Sequence, residues 1–181
     1  MSEELFVSQC APTLAGVKTG SLFSCPYETR DDVTAEVRRL NRALVPKGLR
    51  LLPLRYSEKR VLMYLYRPAS LRRDLSDSEA AEILCAAGYS CASCDRCVVQ
   101  LIERLRESEG FPHEIGLFLS YPPEDVRGFI DNKAANFKRS GLWKVYGDEG
   151  RAMAMFDEFK RCTDIYCRLW REGVGLERLA V

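Results

Sequence analysis

The stretch LRLLPLRYSEKRVLMYLYR, residues 49–67, decides the fold class of this chain. It contains two apolar runs, Leu49–Tyr56 and Val61–Arg67, on either side of the polar turn Ser57–Arg60. Two such runs joined by a short polar turn predict a β-hairpin. Pro53 has no backbone N–H to donate, so the first strand is expected to be an edge strand or to carry a β-bulge.

The patterns that flank this hairpin predict an α+β fold. A strand over Ser21–Cys25 and a helix capped by Thr29 precede it, which gives the start of a split β-α-β arrangement. Behind it we expect helices over 76–87, 93–107, 121–137 and beyond 147, and strands over Ile115–Ser120 and Leu142–Tyr146. The sequence therefore predicts one domain over 1–181, with helices on a mixed sheet of about five strands that begins in a ferredoxin-like βαββαβ order.

Composition excludes several classes of protein. The chain has 181 residues, of which 46% are hydrophobic and 29% charged, so it can bury a core and is not disordered throughout. No apolar run is long enough to span a membrane, and the start MSEELF lacks the features of a signal peptide. We therefore expect a cytoplasmic protein with no membrane partner, in which the eight cysteines are reduced thiols.

Charge is distributed unevenly along the chain. The segment from Arg38 to Arg73 contains eleven basic residues and one acidic residue, Glu58, although the whole chain has a net charge of only +1. The favoured interpretation is that the acidic remainder of the protein balances this segment. The alternative is an RNA- or anion-binding module, in which aromatic side chains of a strand stack on bases and arginines contact phosphates. Its candidate residues are Arg50, Arg55, Tyr64, Tyr66 and Arg67.

The run CASCDRC spaces three cysteines at intervals of three residues. Cys91, Cys94 and Cys97, with Cys85 as a fourth ligand, could bind an iron–sulfur cluster or zinc, because both prefer converging thiolates. In the alternative interpretation these cysteines are small hydrophobic residues on the buried stripe of a helix.

Cys10 and the single histidine suggest thiol chemistry. Cys10 lies in a segment of small residues expected to be a loop, ahead of Lys18, and His113 is followed by Glu114. In a catalytic arrangement Cys10 is the nucleophile, His113 the base, Glu114 its orienting group and Lys18 an anion anchor. The favoured alternative places Cys10 in the core and gives His113 a role in anchoring a loop.

Four phrases resemble a bacterial family of unknown function, number 3793, over nearly the whole chain: CAPTLAGVKTGSLFSC, LVPKGLRLLPLRY, FPHEIGLFLSYPPEDVRGFI and LWKVYGD. The resemblance implies an anaerobic, gut-associated bacterial source and a link to redox or iron physiology, with no established activity. Residues within these phrases are Cys10, Pro12, Gly16, Lys18, His113, Glu114, Gly116, Tyr121, Pro122, Trp143, Lys144, Tyr146 and Gly147. The resemblance implies that relatives often carry cysteines just before the WKVY phrase, where this chain has FKRS over 137–140, and this departure argues against a metal site that depends on that position.

Three functions therefore remain open. The first is a thiol-dependent enzyme or redox-linked binder of a small molecule, centred on Cys10, Lys18 and His113. The second is an iron–sulfur or zinc protein, and the third is the nucleic-acid- or anion-binding module. The sequence indicates neither the ligand nor the oligomeric state.

Overall fold

The computed structural model describes residues 2–90, 93–107 and 110–181. The secondary structure confirms the α+β class. The α-helices of the described residues are α1 (Glu3–Leu14), α2 (Arg30–Leu44), α3 (Pro68–Leu75), α4 (Ser78–Ala86), α5 (Cys94–Glu107), α6 (Pro123–Asp131), α7 (Glu149–Arg171) and α8 (Leu176–Leu179). The strands are β1 (Gly20–Pro26), β2 (Arg50–Tyr56), β3 (Arg60–Tyr66), β4 (Arg139–Ser140) and β5 (Lys144–Val145). Two short 3-10 helices cover Val45–Lys47 and His113–Leu119.

The predicted hairpin supplies two of the three strands of an antiparallel sheet, and β3 is the central strand. The strand order is β1-β3-β2, so β3 pairs with both neighbours and β2 lies at an edge. The register of β2 against β3 shifts between Pro53 and Arg55, which is the bulge that Pro53 predicted. The side chain of Thr29 also caps α2 as expected, because its hydroxyl accepts the backbone N–H of Asp32 at 3.1 Å.

The expected mixed sheet of five strands is wrong. Strands β4 and β5 form a separate two-stranded antiparallel hairpin, and in the described residues no fourth strand joins the β1-β3-β2 sheet. A ferredoxin-like start is therefore not confirmed, although β1, α2, β2 and β3 have the order of a split β-α-β unit. The predicted strand at 115–120 is part of the 3-10 helix His113–Leu119, because an apolar run of this length does not distinguish a strand from a buried helix.

The segment around Cys10 is also helical rather than a loop. Helix α1 continues to Leu14 even though Pro12 lies inside it. Pro12 has no N–H to donate to the carbonyl of Ser8, so its place in the last turn costs the helix one hydrogen bond, which the burial of the helix face offsets. Phe6, Cys10 and Leu14, spaced by four residues, form its buried face and are fully inaccessible to solvent.

Contacts divide the chain into two compact units. The first unit comprises Met1–Ala69 and Phe159–Val181, and the second comprises Ser70–Glu158. The core of the first unit packs α1, α2 and α8 against one face of the three-stranded sheet. The second unit contains most of α3, the helices α4 to α6, the 3-10 helix His113–Leu119, the β4–β5 hairpin and the first part of α7. The single domain over 1–181 stays a prediction.

None of the helices in the described residues combines the length and the apolar character that crossing a membrane requires.

Candidate ligand-binding site

A cavity of about 430 Å³ lies in the second unit. Its walls come from the 3-10 helix His113–Leu119, from α6 and from the turn that joins β4 to β5. Most of its large lining side chains are aromatic or aliphatic, among them Phe111, Tyr121, Phe129, Leu142 and Trp143. Small-molecule pockets usually have volumes of about 300–1,000 Å³ and mostly apolar walls. We call this site the aromatic cavity.

Two glycines allow the walls of the aromatic cavity to approach closely. A Cβ atom on Gly116 would lie 2.8 Å from Cγ2 of Val126 and 2.9 Å from Cδ2 of Tyr121. A Cβ atom on Gly128 would lie 2.4 Å from Cβ of Tyr146. These distances are too short for a side chain, so glycine is required for the observed packing of α6 against its neighbours.

Asp125 joins α6 to the segment that follows β4. Its carboxylate is 2% exposed and accepts three N–H groups. The indole Nε1–H of Trp143 donates to Oδ2 at 2.7 Å, and the backbone N–H groups of Tyr146 and Gly147 donate to Oδ1 at 2.7 and 2.8 Å. A buried carboxylate is stable when its lone pairs are filled in this way. Asp125 therefore holds Trp143 in its orientation at the cavity.

The aromatic rings of the cavity are in contact with one another. Trp143 stacks on Tyr121 with the ring centroids 4.7 Å apart and an interplanar angle of 27°. Phe156, which is not one of the lining side chains, meets Trp143 edge-on at 4.4 Å. The imidazole of His113 meets the ring of Phe129 at 5.1 Å. Burial raises the pKa of Tyr121 above its ordinary value, so this wall of the cavity is uncharged at neutral pH.

Lys144 supplies a positive charge to this largely apolar site. Its ammonium donates to the carbonyl oxygen of Ala134 at 2.6 Å. It also lies 4.6 Å from the ring centroid of Phe137 and 5.9 Å from that of Phe129. These contacts hold a half-buried cation in place through a hydrogen bond and ring faces. The cavity therefore offers flat apolar contact area beside one fixed cation.

His113 is the one predicted catalytic residue that lines the aromatic cavity, where its side chain is exposed. Glu114 is 7% exposed and is engaged elsewhere in the second unit. Its Oε1 lies 3.8 Å from Nη1 of Arg104, and it interacts with the hydroxyl of Tyr89. Burial, reinforced by Glu114, raises the pKa of Tyr89. The role of Glu114 in orienting His113 stays a prediction.

Cys10 and Lys18 belong to the first unit, whereas His113 belongs to the second. Cys10 is fully buried, and this burial raises the pKa of its thiol well above the ordinary value. The positive charge of Lys18 opposes that shift only in part. A buried, protonated thiol has the character of a core residue rather than of a nucleophile. The catalytic arrangement of Cys10, Lys18 and His113 stays a prediction.

Lys18 itself has an unusual environment. Burial lowers the pKa of its ammonium to about 8, and the ammonium lies 5.6 Å from the ring centroid of Phe159. Below pH 8 the charged form is present in both the folded and the unfolded protein, so folding must desolvate it. We therefore expect Lys18→Met to raise the free energy of unfolding at pH 7 by about 1–3 kcal/mol.

The effect of Lys18→Met should depend on pH. Between pH 8 and the ordinary lysine pKa of 10.5, the folded protein releases the Lys18 proton while the unfolded chain keeps it. The difference in stability between Lys18→Met and the parent should therefore shrink as pH rises from 7 to 9.5. Urea unfolding at several pH values measures this difference. The exposed Lys47 of the same unit provides a control, since Lys47→Met should change stability by less than about 0.5 kcal/mol. A difference that stays constant with pH would contradict the expectation.

The proposed metal ligands do not form a recognisable metal centre in the described residues. Cys91 lies outside them. No group of three His, Cys, Asp or Glu side chains suitable for a metal is found within the ranges 2–90, 93–107 and 110–181. Burial raises the pKa of Cys94 to about 11 and also raises that of Cys97. Cys85 is exposed on α4, and the iron–sulfur or zinc site stays a prediction.

The proposed nucleic-acid surface requires a correction. Tyr64 is fully buried and Tyr66 is 2% exposed, and their rings stack on each other at 4.9 Å. Their faces are therefore not accessible for stacking on bases. The guanidinium of Arg67 donates to the main-chain oxygens of three residues, Thr13, Leu14 and Val181. Of the other two candidate arginines, both on β2, Arg50 is exposed and Arg55 is half-buried. Their exposure does not make the rings of Tyr64 and Tyr66 accessible.

A second cavity, of about 380 Å³, lies in the first unit beside α2. Three carboxylates line it, those of Glu28, Asp32 and Glu36. Glu36 is held by the guanidinium of Arg39 at 2.8 Å, and Asp32 accepts the hydroxyl of Thr29 at 2.6 Å. Two of its acids are thus engaged within the protein, which makes it a weaker candidate than the aromatic cavity.

Sequence reasoning did not single out Asp125 and Phe129 as site residues. Both lie in the phrase FPHEIGLFLSYPPEDVRGFI, which also contains His113, Gly116 and Tyr121. Trp143 and Lys144 come from the phrase LWKVYGD. The signal was therefore present, because two phrases of one family line one cavity, but only the fold brings them together.

No curated protein matches the chain, and no solved structure does. A family model described as a protein of unknown function, DUF3793, matches residues 6–180 and so covers both units and every residue of the aromatic cavity. The chain therefore belongs to this family.

Proposed function

We propose that this protein binds a small molecule with a flat, apolar body in the aromatic cavity of its second unit. The observation that carries the proposal is a cavity of about 430 Å³ whose walls are mainly aromatic and aliphatic side chains. Ligand sites typically combine such walls with a few polar groups that fix orientation. Here these groups are Lys144 and His113.

The ring geometry supports binding of a flat molecule. Trp143 stacks on Tyr121 and meets Phe156 edge-on, and these contacts favour a wall that is formed before a ligand binds. A preformed apolar wall reduces the entropy lost on binding. Leu142 is 56% exposed and Phe111 is 40% exposed at the same cavity. Exposed apolar side chains next to a cavity indicate surface that a ligand would cover.

Fluorescence titration tests this proposal with an uncharged probe, naphthamide. The chain has two tryptophans, Trp143 and Trp170, so a Trp170→Phe variant leaves Trp143 as the reporter in the cavity wall. We expect naphthamide to change the emission of Trp143 in a saturable manner. Absence of saturable binding up to millimolar naphthamide would contradict the proposal.

A matched pair of substitutions locates the binding site. Leu142→Ser removes an apolar contact from the cavity and should weaken naphthamide binding about three- to tenfold, because part of an aliphatic side chain no longer covers the ligand. Val99→Ser changes another exposed aliphatic residue of the second unit, 43% exposed on α5 and outside the cavity lining. It should leave the affinity unchanged. Equal effects of the two substitutions would place the ligand elsewhere.

A further inference from the structure

The charge of the aromatic cavity indicates what kind of ligand it takes, an inference that rests on the function proposed above. Lys144 is half-buried in the wall and forms no salt bridge within the part of the chain that the structure describes. An ammonium has three N–H donors, and here one is used by the carbonyl of Ala134. The ring faces of Phe137 and Phe129 stabilise the charge but do not neutralise it.

The carboxylate that lines the cavity does not compete for this cation. Asp125 is 2% exposed, and three N–H groups from Trp143, Tyr146 and Gly147 already stabilise its negative charge. A positively charged ligand would thus meet the ammonium of Lys144 and find no accessible carboxylate among the described lining residues. A ligand with an anionic group would instead accept hydrogen bonds from the remaining N–H donors of the Lys144 ammonium.

We infer that the ligand is an aromatic or heteroaromatic carboxylate, whose ring lies against the aromatic wall and whose carboxylate accepts a hydrogen bond from the ammonium of Lys144. A charged hydrogen bond in a partly desolvated site is stronger than one in water. The ring supplies affinity through apolar contact, and Lys144 supplies the preference for the anion. Lys144 is in this sense a specificity-determining residue of the cavity.

Two probes of nearly equal shape test this inference, namely naphthoate and naphthamide. In the Trp170→Phe background, naphthoate should bind about tenfold more tightly than naphthamide. Lys144→Met should reduce this preference to less than about threefold while naphthamide still binds, because the ring contacts remain. Lys144→Arg keeps the positive charge and should keep most of the preference.

Lys138 provides the matched control. It lies in the segment before β4, and its ammonium also donates to a main-chain carbonyl, that of Gly147 at 2.8 Å, but it does not line the cavity. Lys138→Met should therefore retain the preference for naphthoate. If Lys144→Met does not fold, Leu142→Glu gives the same test, since a negative charge at the cavity should weaken naphthoate more than naphthamide.

The outcomes distinguish this inference from the function on which it rests. Equal binding of the two probes by the parent protein, or a preference that survives in Lys144→Met, would overturn the assignment to carboxylates but leave a small-molecule site in place. Failure of both probes to bind would overturn the proposed function and the inference together.

Discussion

Asp125→Asn should lower the free energy of unfolding by about 2–4 kcal/mol. The carboxylate uses Oδ1 for two backbone N–H groups and Oδ2 for the indole N–H of Trp143. An amide has one oxygen, so its NH₂ group must face at least one of these donors. The substitution therefore leaves a buried N–H unpaired and removes a charge-assisted set of hydrogen bonds. Urea unfolding measures the loss.

Two further variants separate this mechanism from a general effect of charge. Asp131→Asn makes the same change on the same helix at an exposed position, and it should cost less than about 0.5 kcal/mol. In a Trp143→Phe background the indole donor is absent, so Asp125→Asn should cost less than it does in the parent. A cost that is the same in both backgrounds would show that the Trp143 contact does not contribute.

Arg67→Lys should also destabilise the protein, by about 2–4 kcal/mol. Nε of Arg67 donates to the oxygen of Thr13 at 2.8 Å, and Nη2 donates to the oxygens of Leu14 and Val181 at 2.7 and 2.5 Å. The planar guanidinium donates to all three oxygens simultaneously, whereas the ammonium of lysine cannot reproduce this arrangement of donors. The carbonyls of Thr13 and Leu14 at the end of α1 then keep only their backbone donors, the N–H groups of Gly16 and Val181, and lose the charge-assisted hydrogen bonds.

Arg50→Lys is the control for Arg67→Lys. Arg50 lies on β2 of the same sheet, pairs in register with Tyr66 and has an exposed side chain. We expect its substitution to change stability by less than about 0.5 kcal/mol in the same unfolding measurement. Similar losses for the two substitutions would contradict a specific role for the guanidinium of Arg67. Burial lowers the pKa of Arg67, because desolvation disfavours its charged form.

The correct sequence predictions concern features set by a few neighbouring residues. The polar turn at 57–60 joins two strands, Thr29 caps α2, and Pro53 marks the bulge in β2. Each follows from the conformational limits of one residue type or from a period of apolar residues within one element. The family could also be identified from the sequence, because short stretches of consecutive residues resemble it.

The incorrect predictions concern features that depend on distant contacts. The apolar run at 115–120 is a 3-10 helix because it is buried among helices of the second unit rather than paired in a sheet. Pro12 and the small residues around it suggested a loop, yet the burial of Phe6, Cys10 and Leu14 continues α1 past the proline. In both cases the gain from packing outweighs a local preference.

In the candidate site, too, the sequence indicates chemically reactive residue types, whereas distant contacts decide which of them are accessible. From the sequence, His113 and Cys10 were the residues of interest because their side chains are chemically reactive. The structure gives His113 a place at an aromatic cavity, buries Cys10 in the core of the other unit, and buries Tyr64 and Tyr66, which the sequence suggested for RNA. Burial depends on which surfaces the fold covers, and that cannot be read from residue type.

By itself, the sequence determined the α+β class, the β2–β3 hairpin and the family to which the chain belongs. Only the tertiary structure decided that Phe129, Lys144 and Trp143 surround one cavity and that Asp125 holds its wall in place. The physical reason is that capping and strand pairing across a short turn act over a few residues. A cavity requires close packing between segments that are distant in sequence.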